Sequence, residues 1–121
     1  ERRLGLRIPA LLGTTPYEML WQRILRRPVT ADTFPGAFVD WDNSSRRGVN
    51  AMICTGASPT VFQHYFSAQL GRANRAGSEF MFINAWNEWA EGAYLEPDAL
   101  HGHGYLRAIK AAVEAHHSAR H

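Results

Sequence analysis

Apolar residues recur at helical spacing over three stretches of the chain. Tyr17, Trp21, Ile24 and Leu25 mark one face of a first helix. The run Thr15-Pro16-Tyr17-Glu18 opens it: Thr caps, Pro fits the first turn and Glu at the third position returns a capping bond. Arg26, Arg27 and Pro28 stop it, with the cations at the negative end of the helix dipole. Ser58-Pro59 repeats the cap and first-turn proline; Phe62, Tyr65, Phe66, Gln69, Leu70 and Ala73 then share a face until Gly77 closes the helix. Tyr105, Leu106, Ile109, Ala112 and Val113 predict a third helix after His101-Gly102-His103-Gly104. Its last turn should fray, and 116–121, HHSARH, reads as a flexible tail.

Between the helices lie GAFVDW at 36–41 and EFMFINAW at 79–86, apolar on consecutive positions rather than alternating. Such runs suit strands covered on both faces, and strand followed by helix predicts parallel βα units. The expected order is helix, strand, helix, strand, helix, in the α/β class. Residues 51–54, AMIC, fit either a third short strand or a packed loop.

With 121 residues and 45% hydrophobic positions the chain can build one modest core, as a single domain spanning 1–121. A closed eight-stranded β/α barrel takes about 250 residues, so a complete one does not fit. No apolar run approaches the roughly 20 residues of a transmembrane helix. The amino-terminal ERRLGLRIPALLG is too short and too broken by Arg and Pro for a secretion signal, so a soluble, cytoplasmic protein is expected. A net charge of +2, carried almost wholly by scattered arginines, argues against a nucleic-acid partner. Cys54 is alone, so no internal disulfide forms and a reducing compartment is permitted. His101 and His103 lack metal-ligand spacing, and no metal or cofactor is expected. The chain has no GxGxxG, no GxxxxGK[ST] and no GxSxG.

The carboxylates are not scattered. Asp40 and Asp42 end the first strand; Glu88, Glu91, Glu96 and Asp98 follow the second. In parallel α/β folds that rim, outside the carboxyl ends of the strands, is where ligands bind. The stretch 84–98, NAWNEWAEGAYLEPD, sets Asn84, Asn87 and Glu96 beside Trp86, Trp89 and Tyr94 with no amphipathic period. Amides and carboxylates bond sugar hydroxyls, and aromatic faces receive the C–H side of a pyranose, so a saccharide is the expected ligand. Glu88 and Glu91, three apart, can reach one substrate bond, and glycosidic chemistry needs such a pair of carboxyl groups. Trp41, Asp42, Asn43, Arg46 and Arg47 form a second constellation, whose arginine pair can clamp a phosphate or carboxylate or can pair with the facing acidic loop.

These residues carry a resemblance. FPGAFVDWDNSSRRG, then FMFINAWNEWAEGAYLEPD, then HGHGYLRAIKAA, with the YEMLWQRILRRP helix ahead of them, resemble the carboxy-terminal part of the WbsX-type glycosyltransferases, whose domain is similar to glycoside hydrolase family 99. The resemblance implies the last βα units of a (β/α)8 TIM-type barrel, incomplete in this chain, which would associate with the remainder of the barrel or with another chain. It implies a glycan substrate and a role in polysaccharide or O-antigen assembly. Carried over from related endo-acting mannosidases, Glu91 would be the general acid/base and Glu88 would assist at the neighbouring sugar hydroxyl, in a retaining route through an epoxide-like intermediate. Those hydrolases carry His where this chain has Ala90, which places it on the transferase side. Hydrolysis and a non-catalytic sugar-binding fragment are the alternatives.

Overall fold

The computed structural model describes residues 13–119. The rest, including the Arg- and Pro-broken amino-terminal run up to residue 12, lies outside the described residues. Strand β1 (Thr14–Pro16) leads into helix α1 (Tyr17–Arg26). Strand β2 (Gly36–Phe38), the one-turn helix α2 (Ser44–Arg47) and a 3-10 turn at Gly48–Asn50 follow, then β3 (Ile53–Thr55) and the long α3 (Pro59–Arg75). Strand β4 (Phe82–Asn84) runs into a hairpin of β5 (Asn87–Glu88) and β6 (Ala93–Tyr94) around a 3-10 turn at Trp89–Glu91, and α4 (Gly104–Ala119) ends the fold.

The architecture is mixed α/β, with parallel strand pairs. β1 pairs with β3, Thr15 opposite Cys54, and β2 pairs with β4, Ala37 opposite Ile83. Of residues 51–54, Ile53 and Cys54 enter strand β3, and residues 51 and 52 precede it outside the ladder. Strands β2 and β4 are shorter than their apolar runs, and only one side of the second run is covered. Phe34, Phe80 and Phe82 are each more than half exposed and meet one another at ring distances of 5.7 to 6.3 Å.

Helix α3 begins as its sequence requires: Ser58 Oγ accepts from the Val61 amide at 3.2 Å, Pro59 fills the first turn, and Gly77 leaves with φ +68°. Helix α1 departs from expectation. Thr15 is committed to the β1–β3 ladder, so the helix opens one residue later at Pro16, with no side-chain cap. Proline's fixed φ and missing N–H suit that junction. Helix α4 buries Tyr105, Ala108 and Ala112, whose small members allow close approach to α3, and Val113 falls outside the stripe. Residues 116–119 of the expected tail are helical.

The core is aromatic. Trp21, fully buried, stacks between Phe38 and Tyr65 with both ring centroids at 5.7 Å, while the Tyr17 hydroxyl donates to the Phe38 carbonyl at 2.8 Å. Phe62 stacks on Phe66 and meets the edge of Tyr105. Desolvation raises the Tyr17 and Tyr105 hydroxyl pKa values well above the ordinary phenol value. Buried Gln69 donates to the Gly36 carbonyl at 2.7 Å, and Arg72 donates to Gln69 and to the carbonyls of Ile24 and Arg27. This knot fastens α3 to the end of α1 and the start of β2.

Candidate active site

Because β2 and β4 are parallel neighbours, the segments leaving their carboxyl ends emerge on the same side. Residues 39–47 leave β2, and residues 85–98 leave β4. Hydrogen bonds lock the two together: the Asp42 amide donates to the Glu91 carbonyl at 2.8 Å, and Ser45 Oγ donates to the Ala90 carbonyl at 3.0 Å. Gly92 makes that approach possible. Its φ is +63°, and a Cβ there would stand 3.0 Å from the Asp42 nitrogen.

The first segment is internally braced. The Asp42 carboxylate accepts from the Ser44 amide at 2.9 Å, Asn43 Oδ1 accepts from the Met52 amide at 2.8 Å, and the Trp41 carbonyl accepts from the Cys54 amide at 2.7 Å. On this frame Trp41, Asn43, Arg46, Arg47 and Glu91 line a cavity of ≈340 Å³. Arg46 reaches across it to Glu91, Nη1 to Oε1 at 3.2 Å. A larger cavity of ≈400 Å³ lies at the far end of β2, but its Arg72 is spent on the carbonyls of the knot described above. The rim cavity is the one of these two whose lining includes a carboxylate, Glu91, beside arginines.

The second segment folds back on itself through the Leu95 amide, which donates to the Ala85 and Trp86 carbonyls, and the Glu96 amide, which donates to Trp86. The Asn84–Ala85 peptide is cis. Trp89 stacks on Tyr94 at 3.7 Å with 11° between ring planes, and its Nε1 donates to Glu96 at 3.3 Å. Trp86 and Trp89 remain 54% and 49% exposed. Glu88 stands exposed on β5 opposite Ala93, outside the lining of the cavity that Glu91 walls. Asn84 and Asn87 are exposed at the end of β4 and on β5.

Sequence reasoning missed a second cluster on the same rim. Asp40, Tyr94, Asp98, His101 and Tyr105 surround a small cavity of ≈60 Å³. Burial raises the Asp40 pKa above the usual carboxylate value, although the Trp41 amide bonds it at 2.7 Å; nearby Asp42 raises it further and His101 opposes. Asp98 moves the other way, because the His101 amide donates to it at 2.6 Å and the Tyr94 hydroxyl at 2.8 Å. Desolvation and the Asp98 bond push Tyr94 up to about 12, and burial pushes the Cys54 thiol up to about 11. Asp40's place at a strand end was legible, but its meeting with His101 is a long-range contact that no motif announces. Among the described residues no three His, Cys, Asp or Glu side chains gather as metal ligands, and no helix is long and apolar enough to cross a membrane.

Both rim segments, Trp41–Asn43–Arg46–Arg47 and the hairpin, fall within residues 8–109, the region matched by the glycosyltransferase WbsX family profile. The chain belongs to the glycosyltransferase WbsX family. It is similar to WxcX, an uncharacterized protein of Xanthomonas campestris pv. campestris, in two strains, with 41% identity over 77% of this chain. The chain spans 14% of the length of these curated relatives. No solved structure matches it. Membership of that family suggests a carbohydrate-active role.

Proposed function

We propose that this chain forms part of the catalytic rim of a WbsX-family glycosyltransferase that works on glycosidic bonds during polysaccharide or O-antigen assembly. In this reading the chain supplies the last βα units of a TIM-type barrel similar to that of glycoside hydrolase family 99. The observation that carries the proposal is Glu91 in the wall of a cavity shared with Trp41, Asn43, Arg46 and Arg47. Glu91 protonates the leaving oxygen and later takes the proton of the incoming hydroxyl. Glu88 takes the proton of the sugar hydroxyl beside the anomeric carbon, whose oxygen closes on that carbon as the bond to the leaving group breaks. The incoming hydroxyl oxygen then bonds the anomeric carbon, the epoxide C–O bond at that carbon breaks, and Glu88 returns its proton to the freed oxygen. A sugar hydroxyl as acceptor makes the reaction transfer; water makes it hydrolysis. Trp86, Trp89 and Tyr94 offer the faces on which the sugar rings rest.

A second reading, sugar binding without catalysis, draws support from the Arg46–Glu91 contact, which occupies an oxygen that an acid/base must free. One variant separates the two. In the full-length protein Glu91→Gln should lower turnover of an accepted glycan by at least about 10²-fold with binding retained. Unchanged turnover removes the acid/base role, and wild-type binding with no turnover of any glycan favours the binding module.

A further inference from the structure

The rim cavity is short of acceptors. Arg46 is engaged with Glu91, whereas the Arg47 guanidinium, which lines the same space, has no hydrogen-bond or ion-pair partner among the described residues. Asn43 lines the cavity, 9% exposed as a residue; its Oδ1 accepts from the Met52 amide, and its Nδ2 has no acceptor among the described residues and is open to solvent. Two guanidinium groups and one side-chain amide therefore line the same space as one carboxylate that is already paired.

A neutral sugar brings hydroxyls that donate as well as accept, and does not balance this excess of cation and donor. An anionic oxygen group does. A planar guanidinium matches carboxylate and phosphate in a paired arrangement, and an immobile amide N–H₂ adds a directional third contact. Asn43 is held by its backbone and side chain to residue 52, so its donors are positioned before a ligand arrives.

We propose that the cavity receives an anionic substituent on the sugar ligand, a uronate carboxylate or a glycosyl phosphate, with Arg47 as its cation and Asn43 as its directional donor. This rests on the sugar-site reading above and narrows its substrate class. Arg46, 3.2 Å from Glu91, offsets the charge of that carboxylate and so lowers its repulsion of the incoming anion.

Calorimetric titration of the intact chain tests this with gluco-, galacto- and manno-configured oligosaccharides in neutral, uronate-bearing and phosphate-bearing forms, and with inorganic phosphate alone. The anionic forms should bind at least about tenfold more tightly than their neutral counterparts, the scale of one charge-assisted contact. Arg47→Ala should erase that preference, bringing anionic and neutral forms to the same affinity, and Arg47→Lys should restore part of it. Preference for the uronate form identifies the carboxylate, and preference for the phosphate form identifies the phosphate. Equal affinity for neutral and anionic forms, or a preference that survives Arg47→Ala in a variant with wild-type melting, overturns the inference and leaves the sugar site standing. Phosphate binding that needs Arg47, with no sugar bound in any form, overturns the sugar site and supports the anion site. Absence of binding by every probe overturns both.

Discussion

Two groups of aromatic residues use the same side chains for different purposes. Under the helices, Trp21 lies between Phe38 and Tyr65 with no exposed surface, and Tyr17, Phe62, Phe66 and Tyr105 complete the interior. On the rim, Trp89 is also stacked, against Tyr94 at a closer 3.7 Å, yet about half its surface faces solvent. Stacking is common to both, and burial separates them. An enclosed indole removes apolar area from water and sets stability. A half-open pair is held in shape by hydrogen bonds to Glu96 and Asp98 and keeps a face available for a ligand.

The sharpest way to break this comparison is to truncate one member of each group. Trp21→Ala should destabilise the fold by about 3–5 kcal/mol and Trp89→Ala by less than about 1.5 kcal/mol, measured by urea or thermal unfolding. Similar losses at both positions would remove the distinction between an interior set and a rim set. The cost at Trp21 falls toward the lower end of that range, because its buried Nε1 makes no well-formed hydrogen bond and the variant removes that polar group.

A smaller effect belongs to the joint between the rim segments. Gly92→Ala should cost about 1–2 kcal/mol, since the new Cβ meets the Asp42 backbone and the residue must hold a positive φ. Ligand affinity should fall with it, because Asp42 and Glu91 share the hydrogen bond that the substitution strains. A variant as stable as wild type would show that the two segments meet more loosely than their hydrogen bonds indicate.

The smallest effect is electrostatic. Asp40 has a folded-state pKa raised above its ordinary value, so the folded chain holds more protons than the unfolded chain as pH climbs from about 4 through the raised value. Its contribution therefore declines with rising pH across that window. Asp98, lowered in the fold, contributes in the opposite sense, losing stability as pH falls below the ordinary carboxylate range. Asp40→Asn should raise the melting temperature slightly at neutral pH and remove the decline, leaving the acid-side loss due to Asp98. Melting curves between pH 3 and 7 that coincide for variant and wild type would contradict the burial of Asp40.

Much of this was legible because its causes are local. Ser58 and Pro59 define the start of α3 within four residues, and the carboxylates of 84–98 crowd together with indoles in one continuous string. The start of α1 was misread for the converse reason: Thr15 has the chemistry of a cap, but its backbone pairs with Cys54, far along the chain. Arg46 and Arg47 show the same limit. Neighbours in sequence with identical chemistry, they left pairing and ligand contact equally open, and the fold gives Arg46 a partner 45 residues away and Arg47 none among the described residues.

The sequence by itself determined the helical stripes, the parallel α/β character, the acidic and aromatic string and the kinship to WbsX proteins, all of which are written in neighbouring residues. Only the tertiary structure decided which indole is enclosed, which arginine is engaged, and that Asp40 and His101 face one small cavity. Burial and charge pairing are properties of the surroundings, and those surroundings come from segments that meet only when the chain folds.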